Sequence, residues 1–108
     1  MRFLAISRPT DAATPEAVAD DMDAEIANGR RLFEEGFLVQ GYMDPTYTTA
    51  VFLVEAPDEA SALTQFGTYL QVQSGLTTYD LTPLVGLPAS EQSLTARGAA
   101  MPEWWSAP

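Results

Sequence analysis

The chain has 108 residues, 46% of them apolar, and carries a formal net charge of −10. This length is typical of one domain and is sufficient to bury roughly two thirds of the unfolded surface. The acidic excess argues against nucleic acid and anionic membranes as partners, because their phosphates would be repelled. No apolar run approaches the roughly 18 residues that a transmembrane helix needs.

Histidine, cysteine and lysine are absent, and all five basic residues are arginines. Their absence excludes a Ser–His triad, a cysteine nucleophile, a Schiff-base lysine, and zinc or haem bound through imidazole or thiolate. Any acid–base group must therefore be an Asp, a Glu, a Tyr, a chain terminus or water. Because the chain has no cysteine for a disulfide and no signal-peptide pattern at its start, we expect a cytoplasmic protein. Because the usual metal and haem ligands are absent, we expect no cofactor or metal.

The first part of the chain predicts a strand followed by a long helix. Residues 1–7 are mostly apolar and form the strand. Thr14 suits the cap of the helix, Pro15 its first turn and Gly36 its end. We therefore place the helix at about residues 15–35, with one apolar stripe at helical spacing. The stripe consists of Val18, Met22, Ile26 and Phe33.

The second part predicts a hairpin, a second helix and a last strand. Residues 37–43 and 48–56 are the hairpin strands, joined by a turn that contains Asp-Pro. The second helix begins at Pro57, and residues 76–84 form the fourth strand. The order β-α-β-β-α-β is that of ferredoxin-like α+β folds, which have a four-stranded antiparallel sheet with both helices on one face. We assign residues 1–87 to this domain.

The third predicted strand is apolar on both of its faces. One face carries Ala50, Phe52 and Val54, and the other carries Val51 and Leu53. Helices cover only one side of the predicted sheet, and a sheet that is also apolar on its other side usually has a partner. We therefore expect a homodimer that is formed sheet to sheet.

Two segments carry a resemblance to a known superfamily. GYMDPTYTTAVFLVEAPDEASAL contains a hairpin strand that leads into the helix start EAPDEA (55–60), and SGLTTYDLTPL contains a strand that ends in LTPL (81–84). Together with the N-terminal strand and the long acidic helix, this pattern resembles the dimeric α+β barrel superfamily, and within it the muconolactone isomerase-like and YCII-like groups. The resemblance covers about residues 1–87.

The resemblance implies a cofactor-independent enzyme that acts on a small oxygenated molecule, such as a lactone or an intermediate of polyketide biosynthesis. Relatives carry histidines near their pockets and this chain has none, so we expect a divergent member that acts on another molecule. We favour an isomerase or cyclase that works by proton transfer. The alternatives are a cofactor-free oxygenase, in which the substrate supplies the electrons, and a non-catalytic dimer that binds a small ligand.

Tyr79 and Asp80 are neighbours on the fourth predicted strand, so they point to opposite faces of the sheet. Asp80 is the candidate base, because burial in an apolar pocket raises the pKa of a carboxyl group toward neutrality. Tyr79 is a candidate donor to a substrate oxygen, and the alternative places it in the dimer interface, where an aromatic ring with a polar tip is common. The alternative for Asp80 is a structural ion pair with Arg2 or Arg8.

Gln40, Tyr42 and Asp44 share one face of the second predicted strand, because side chains alternate along a strand. One hypothesis makes Gln40 and Tyr42 catalytic donors to a substrate oxygen, which requires both side chains to face the helices. The other makes Asp44 the start of an Asx turn, with Tyr42 and Tyr47 packed on the sheet and their hydroxyls in water.

Several further residues are candidates for binding the substrate. They are Arg8, Tyr47, Phe52, Trp104 and Trp105. The two tryptophans belong to residues 88–108, a tail predicted to dock on the domain or on the partner subunit, or to close over a pocket. This prediction rests on the large apolar surface of tryptophan, which is seldom left in water.

One acidic cluster lies on the first predicted helix. It lacks the alternation and the glycine of a calcium loop, so it is predicted to be a solvated helix face. Its members are Asp20, Asp21, Asp23 and Glu25.

Overall fold

The structure is a computed structural model that describes residues 1–86. Its elements follow in the order β1 (Arg2–Pro9), α1 (Pro15–Asp20), α2 (Met22–Glu34), β2 (Leu38–Met43), β3 (Ala50–Glu55), α3 (Glu59–Phe66), α4 (Leu70–Gln73) and β4 (Thr77–Leu84). The four strands form one antiparallel sheet with the spatial order β2-β3-β1-β4. The described chain is therefore an α+β fold with a four-stranded antiparallel sheet, as the sequence predicts.

The register of the strands defines two faces of the sheet. Phe3 lies opposite Val54, and Ala5 lies opposite both Phe52 and Leu81. Phe3, Ala5 and Val54 are buried in one cluster with side chains of the helices, so these positions mark the helix-covered face. The alternate residues mark the open face. The central residues of the open face are Leu4, Ile6, Val51 and Leu53.

The core lies between the helix-covered face and α3, with little contribution from α2. Ala62 and Phe66 of α3 are 0% and 1% exposed, and Leu32 is the one buried residue that α2 contributes. The Phe66 ring packs edge-on against Phe37, with ring centroids 5.1 Å apart. Burial of a phenylalanine side chain such as Phe66 stabilises the fold by about 1.5–3 kcal/mol.

The single helix predicted for residues 15–35 is divided into α1 and α2. Thr14 caps α1, since its hydroxyl accepts a hydrogen bond from the Ala17 backbone N–H at 3.2 Å. The division falls at Asp21, whose φ of −101° and ψ of 1° interrupt the helix. Gly36 follows α2 with a φ of +82°, in agreement with the predicted helix end.

The apolar stripe of the predicted helix is not part of the core. Met22, Ile26 and Phe33 have exposed fractions of 43%, 54% and 43%. Only the neighbouring position Leu32 is buried, so α2 packs on the core through one residue near its end. The remainder of the stripe borders an open space between α2 and the sheet.

Three smaller differences concern element ends. β1 continues through Arg8 and Pro9, beyond its predicted end, because both residues pair with β4. α3 begins after Asp58, whose carboxylate accepts a hydrogen bond from the Ser61 backbone N–H at 2.7 Å, so Pro57 lies before the helix. The short helix α4 lies between α3 and β4, where the sequence analysis names no separate element. None of the helices within residues 1–86 has both the length and the apolar composition needed to cross a membrane.

Candidate functional site

A cavity of about 780 Å³ lies between helices α1 and α2 and the helix-covered face of the sheet. Its volume falls in the range of roughly 300–1,000 Å³ that is typical of small-molecule sites. Its walls are mainly apolar, and they include Val18, Met22, Ile26, Phe33, Met43 and Phe52. The cavity explains why the helical stripe is half exposed, since these side chains line a space rather than a packed core.

One wall of the cavity depends on Gly41 in β2, which lies opposite Phe52 in β3. A Cβ atom at Gly41 would stand 2.8 Å from the Phe52 ring and 3.3 Å from the Phe33 ring. Glycine therefore allows both rings to approach the strand. Phe52, a predicted substrate-binding residue, lies on the wall of the cavity.

Two tyrosines contribute hydroxyl groups to the cavity. Tyr79 points from β4 to the helix-covered face, and Tyr69 immediately precedes α4. The two ring centroids are 6.2 Å apart, and the rings stack with Phe66 at centroid distances of 4.1 Å for Tyr79 and 6.5 Å for Tyr69. This aromatic packing fixes both rings in the core and holds their hydroxyl groups at the cavity.

Both tyrosine hydroxyls are protonated donors near neutral pH. Burial raises the pKa of Tyr69 to about 12, and the nearby Glu25 carboxylate adds to this effect. Burial likewise raises the pKa of Tyr79. Neither hydroxyl has a hydrogen-bond partner within residues 1–86. Every fully buried polar side-chain atom of that part does have a partner, so neither tyrosine hydroxyl is fully buried. The two hydroxyls are therefore open to the cavity and available to a ligand.

Glu25 of α2 contributes a carboxylate to the same cavity. The side chain is half-buried, and the backbone N–H of Gln71 donates a hydrogen bond to its Oε1 at 3.2 Å. Burial raises the pKa of Glu25, and this effect exceeds the lowering by the backbone N–H groups of Gln71 and Leu70. No ion pair within residues 1–86 involves Glu25. A carboxylate without a cation can accept and return a proton.

The sequence prediction of a solvated face is wrong for Glu25, whereas Asp20 and Asp23 are exposed as predicted. A signal for Glu25 was present in the spacing of the helix. Residues at positions 18, 22, 25 and 29 recur at intervals of four, three and four, so Glu25 shares a face with the apolar stripe. Tyr69 carries no comparable signal, because it lies outside any periodic segment.

Asp80, the predicted catalytic base, lies on the open face and does not line the cavity. It forms an ion pair with Arg8, whose Nε donates to the Asp80 Oδ2 at 2.6 Å. The structural alternative with Arg8 is therefore confirmed, while Arg2 pairs with Glu55 at 2.7 Å. Arg8, predicted to bind the substrate, is likewise directed away from the cavity. Tyr79 and Asp80 point to opposite faces, as predicted, and Tyr79 lies on the helix-covered face and not on the open face that the dimer alternative required.

Gln40 and Tyr42 also lie on the open face, opposite Leu53 and Val51. The hypothesis that they are catalytic donors required them to face the helices, so the structure removes them from the cavity. The Asx-turn alternative for Asp44 is confirmed. Its Oδ1 accepts hydrogen bonds from the backbone N–H groups of Thr48 and Thr49 at 2.8 Å each. The hydrogen bond from the Thr46 hydroxyl, with these backbone bonds, lowers the pKa of Asp44 to about 2.

The remaining predicted binding residues have different positions. Tyr47 lies at the rim of the cavity, is 79% exposed and has a φ of +58° in the hairpin turn. Trp104 and Trp105, with the whole predicted tail of residues 88–108, lie outside the described residues. Their docking and their part in a site stay predictions.

No protein-family model matches the chain, and no curated protein shows significant similarity to it. Within residues 1–86, no three His, Cys, Asp or Glu side chains are grouped closely enough to hold a metal ion. The ionisable side chains that line the cavity are the Glu25 carboxylate, the Arg30 guanidinium and the phenols of Tyr69, Tyr79 and, at the rim, Tyr47, in mainly apolar surroundings. This combination is suited to proton transfer at a carbon atom next to a carbonyl group.

Proposed function

We propose that this protein is a cofactor-independent isomerase or cyclase that transfers protons within a small oxygenated molecule, such as a lactone or a polyketide-type intermediate. One observation carries the proposal. Glu25, a half-buried carboxylate with a raised pKa, shares an apolar cavity with two protonated tyrosine hydroxyls. A buried acid that faces the cavity favours proton transfer over ligand binding alone, because an unpaired carboxylate is costly to bury.

Glu25 is the proposed base. It accepts a proton from a carbon next to a carbonyl, and the electrons of the broken C–H bond move to the carbonyl oxygen and form an enolate. The raised pKa makes Glu25 a stronger base than a solvated carboxylate. In an isomerisation, the same proton returns to a different carbon. In a cyclisation, the enolate carbon attacks a second carbonyl of the molecule, and the resulting alkoxide takes the proton from Glu25.

Tyr69 and Tyr79 are the proposed donors to the enolate oxygen. Their raised pKa values keep both phenols protonated while negative charge develops on the substrate. Donors that are fixed in place before the reaction stabilise such a charge most effectively. The aromatic stack with Phe66 supports this role for both rings. In this proposal Tyr79 keeps its predicted role, and Glu25 replaces Asp80.

A carboxyl titration tests the proposed base. We expect the carboxyl ¹³C signal of one glutamate to titrate above the ordinary pKa of about 4.3, and this signal to be absent from Glu25→Gln. Asp80→Asn is the matched control, because it removes a carboxylate of the open face and leaves the raised titration in place. A Glu25 signal that titrates at or below the ordinary value would remove the basis for a base in this cavity.

Deuterium exchange tests the reaction. 2-Tetralone is an apolar ketone with acidic protons next to its carbonyl, and it is small enough for the cavity. We expect the wild-type protein to accelerate exchange of these protons in deuterium oxide. If 2-tetralone binds in the cavity but exchanges at the buffer rate, the enzyme proposal is wrong, and the non-catalytic ligand-binding alternative takes its place.

We also propose that the chain belongs to the dimeric α+β barrel superfamily, with a ferredoxin-like fold and two copies paired through their open faces. The element order and the strand order β2-β3-β1-β4 support the fold. The composition of the open face supports a second copy as the occupant. Its centre is apolar, and its ion pairs Arg2–Glu55 and Arg8–Asp80 balance in charge, so a like face meets no net repulsion.

A further inference from the structure

Gly29 lies in the interior of α2, where a glycine is unfavourable. Glycine in the middle of a helix is destabilising by roughly 0.5–1 kcal/mol relative to alanine. No turn requires it, since α2 continues for a further turn to Glu34. A contact rather than the backbone conformation must therefore explain the residue.

The contact is with the hydroxyl group of Tyr69. A Cβ atom at Gly29 would stand 3.1 Å from the Tyr69 hydroxyl oxygen. Tyr69 is only 5% exposed, and its ring is stacked in the cluster with Phe66 and Tyr79, so it has little room to withdraw. Gly29 therefore forms a notch on α2 into which the hydroxyl of Tyr69 fits.

The notch lies one helical turn from Glu25. Residues four apart on a helix share a face, with Cβ positions about 5–6 Å apart, so Glu25 and Gly29 both face the cavity. The Glu25 carboxylate is close enough to Tyr69 to raise the pKa of the phenol. Gln71, two residues after Tyr69 in the chain, also links the two groups, because its backbone N–H donates a hydrogen bond to the Glu25 carboxylate.

We propose that Gly29 is a positioning residue that sets the separation between the Tyr69 hydroxyl and the Glu25 carboxylate. Only a substrate that presents its acidic C–H to Glu25 and its carbonyl oxygen to Tyr69 over that separation is processed. A side chain at position 29 displaces the hydroxyl, so the base and the donor no longer fit one substrate. The inference rests on the proposed function of Glu25 and Tyr69.

The test compares Gly29→Ala, Tyr69→Phe and the double variant in deuterium exchange of 2-tetralone. We expect Gly29→Ala to lower the maximal exchange rate about tenfold, within the cost of up to about 10²–10³ for losing one oxyanion donor. Tyr69→Phe lowers it similarly. The double variant matches Tyr69→Phe, because the added methyl group has no hydroxyl to displace. The half-saturating 2-tetralone concentration changes little, since the apolar walls are intact.

Two further measurements separate positioning from a general structural effect. The ¹³C signals of the Tyr69 ring shift in Gly29→Ala. The variant stays folded, because the higher helix propensity of alanine offsets part of the cost of moving the Tyr69 hydroxyl. Ala27→Gly, at an exposed position of α2 that does not line the cavity, is the control. It lowers stability and leaves the exchange rate unchanged.

The outcomes distinguish this inference from the proposed function. If wild-type protein catalyses exchange through Glu25 and Gly29→Ala keeps the wild-type rate, the positioning role is wrong and the function stands. If wild-type protein does not catalyse exchange, the proposed function fails. In that case the ¹³C signals of the Tyr69 ring still test the contact between Gly29 and the Tyr69 hydroxyl. Unshifted signals in Gly29→Ala would show that this contact does not exist.

Discussion

The two faces of the sheet differ in whether their charged and polar groups have partners. On the open face, each carboxylate has an arginine partner, in the pairs Arg8–Asp80 and Arg2–Glu55. Above the helix-covered face, Glu25 of α2 accepts a hydrogen bond from a backbone N–H and forms no ion pair among the described residues, although Arg30 lines the same cavity. The tyrosine hydroxyls of that side also lack partners within residues 1–86.

This difference separates groups that support the fold from groups that are available for chemistry. A paired carboxylate is stabilised as an anion and is a weak base, whereas a partly desolvated carboxylate with a raised pKa is a stronger one. The strand that carries Tyr79 and Asp80 directs these neighbouring side chains to different surroundings, since Tyr79 faces the cavity and Asp80 faces Arg8. In the proposed mechanism, the face to which each residue points therefore decides its role.

The largest expected effect comes from removing the carboxylate of each face in turn. We expect Glu25→Gln to lower the exchange rate of 2-tetralone by about 10²-fold or more, the usual contribution of a general base. Asp80→Asn leaves the rate within about twofold of wild type, because Asp80 does not contact the cavity. Equal losses in both variants would contradict the distinction between the faces. Circular dichroism confirms that each variant is folded.

The next effect concerns the open face and the oligomeric state. We expect wild-type protein to have twice the 11.7 kDa mass of one chain in light scattering. Leu53→Arg places a charge at the apolar centre of the open face and yields a folded monomer, because burying an unpaired charge in the interface is too costly. Leu63→Arg, at an exposed leucine of α3, is the control and stays dimeric. A monomeric wild-type protein would contradict the proposed pairing.

A smaller effect concerns stability as a function of pH. The pKa of Glu25 is raised in the folded state, so the folded protein holds this proton more tightly than the unfolded chain. The contribution of the Glu25 proton to the free energy of unfolding is complete at pH values below the pKa of Glu25 in the unfolded chain, about 4.3. This contribution is lost as the pH rises through the pKa of Glu25 in the folded state. Glu25→Gln removes this dependence, because the neutral amide resembles the protonated acid.

Denaturant unfolding of both proteins between pH 4 and 8 measures this difference. We expect the stability of wild-type protein to fall relative to Glu25→Gln over this interval, so that the variant is the more stable one at neutral pH. The exchange rate of the wild-type protein rises over the same interval, since the base form becomes populated. A constant stability difference would show that Glu25 has the same pKa in both states.

The sequence predicted the strands and the open face better than the cavity. Alternation along a strand is a local property, so the opposite orientation of Tyr79 and Asp80 followed from their adjacency. The helical spacing places Glu25 on the face of the apolar stripe, but that this face lines a cavity depended on how α2 lies above the sheet. The position of Tyr69 depended on α4, a helix of one turn that has no periodic signal.

The Asp80 hypothesis shows why site prediction is harder than fold prediction. A carboxylate on a strand can lie on either face of the sheet. The sequence indicated Arg2 and Arg8 as possible partners of Asp80, but it did not show whether these side chains lie on the helix-covered face or on the open face. The composition restricted any acid–base group to an Asp, a Glu, a Tyr, a chain terminus or water, and the cavity holds Glu25 and tyrosines from that set. The choice among the acids required the tertiary contacts, because desolvation and pairing are properties of the packed chain.

The smallest expected effect is the energy of the Arg8–Asp80 pair itself. Both side chains are 60% exposed in the single chain, and Asp80 lies on the edge strand β4, so we expect the pair at the rim of the proposed dimer interface, where solvent still reaches it. A double-mutant cycle with Arg8→Ala and Asp80→Ala should give a coupling energy below about 1 kcal/mol, because solvent screens exposed pairs. The coupling should weaken further in high salt. A salt-independent coupling above about 2 kcal/mol would mean that the pair is desolvated, since only water-excluded ion pairs reach that strength. The pair would then lie at the centre of the dimer interface. The charged groups of the open face would in that case be as desolvated as the Glu25 carboxylate in the cavity.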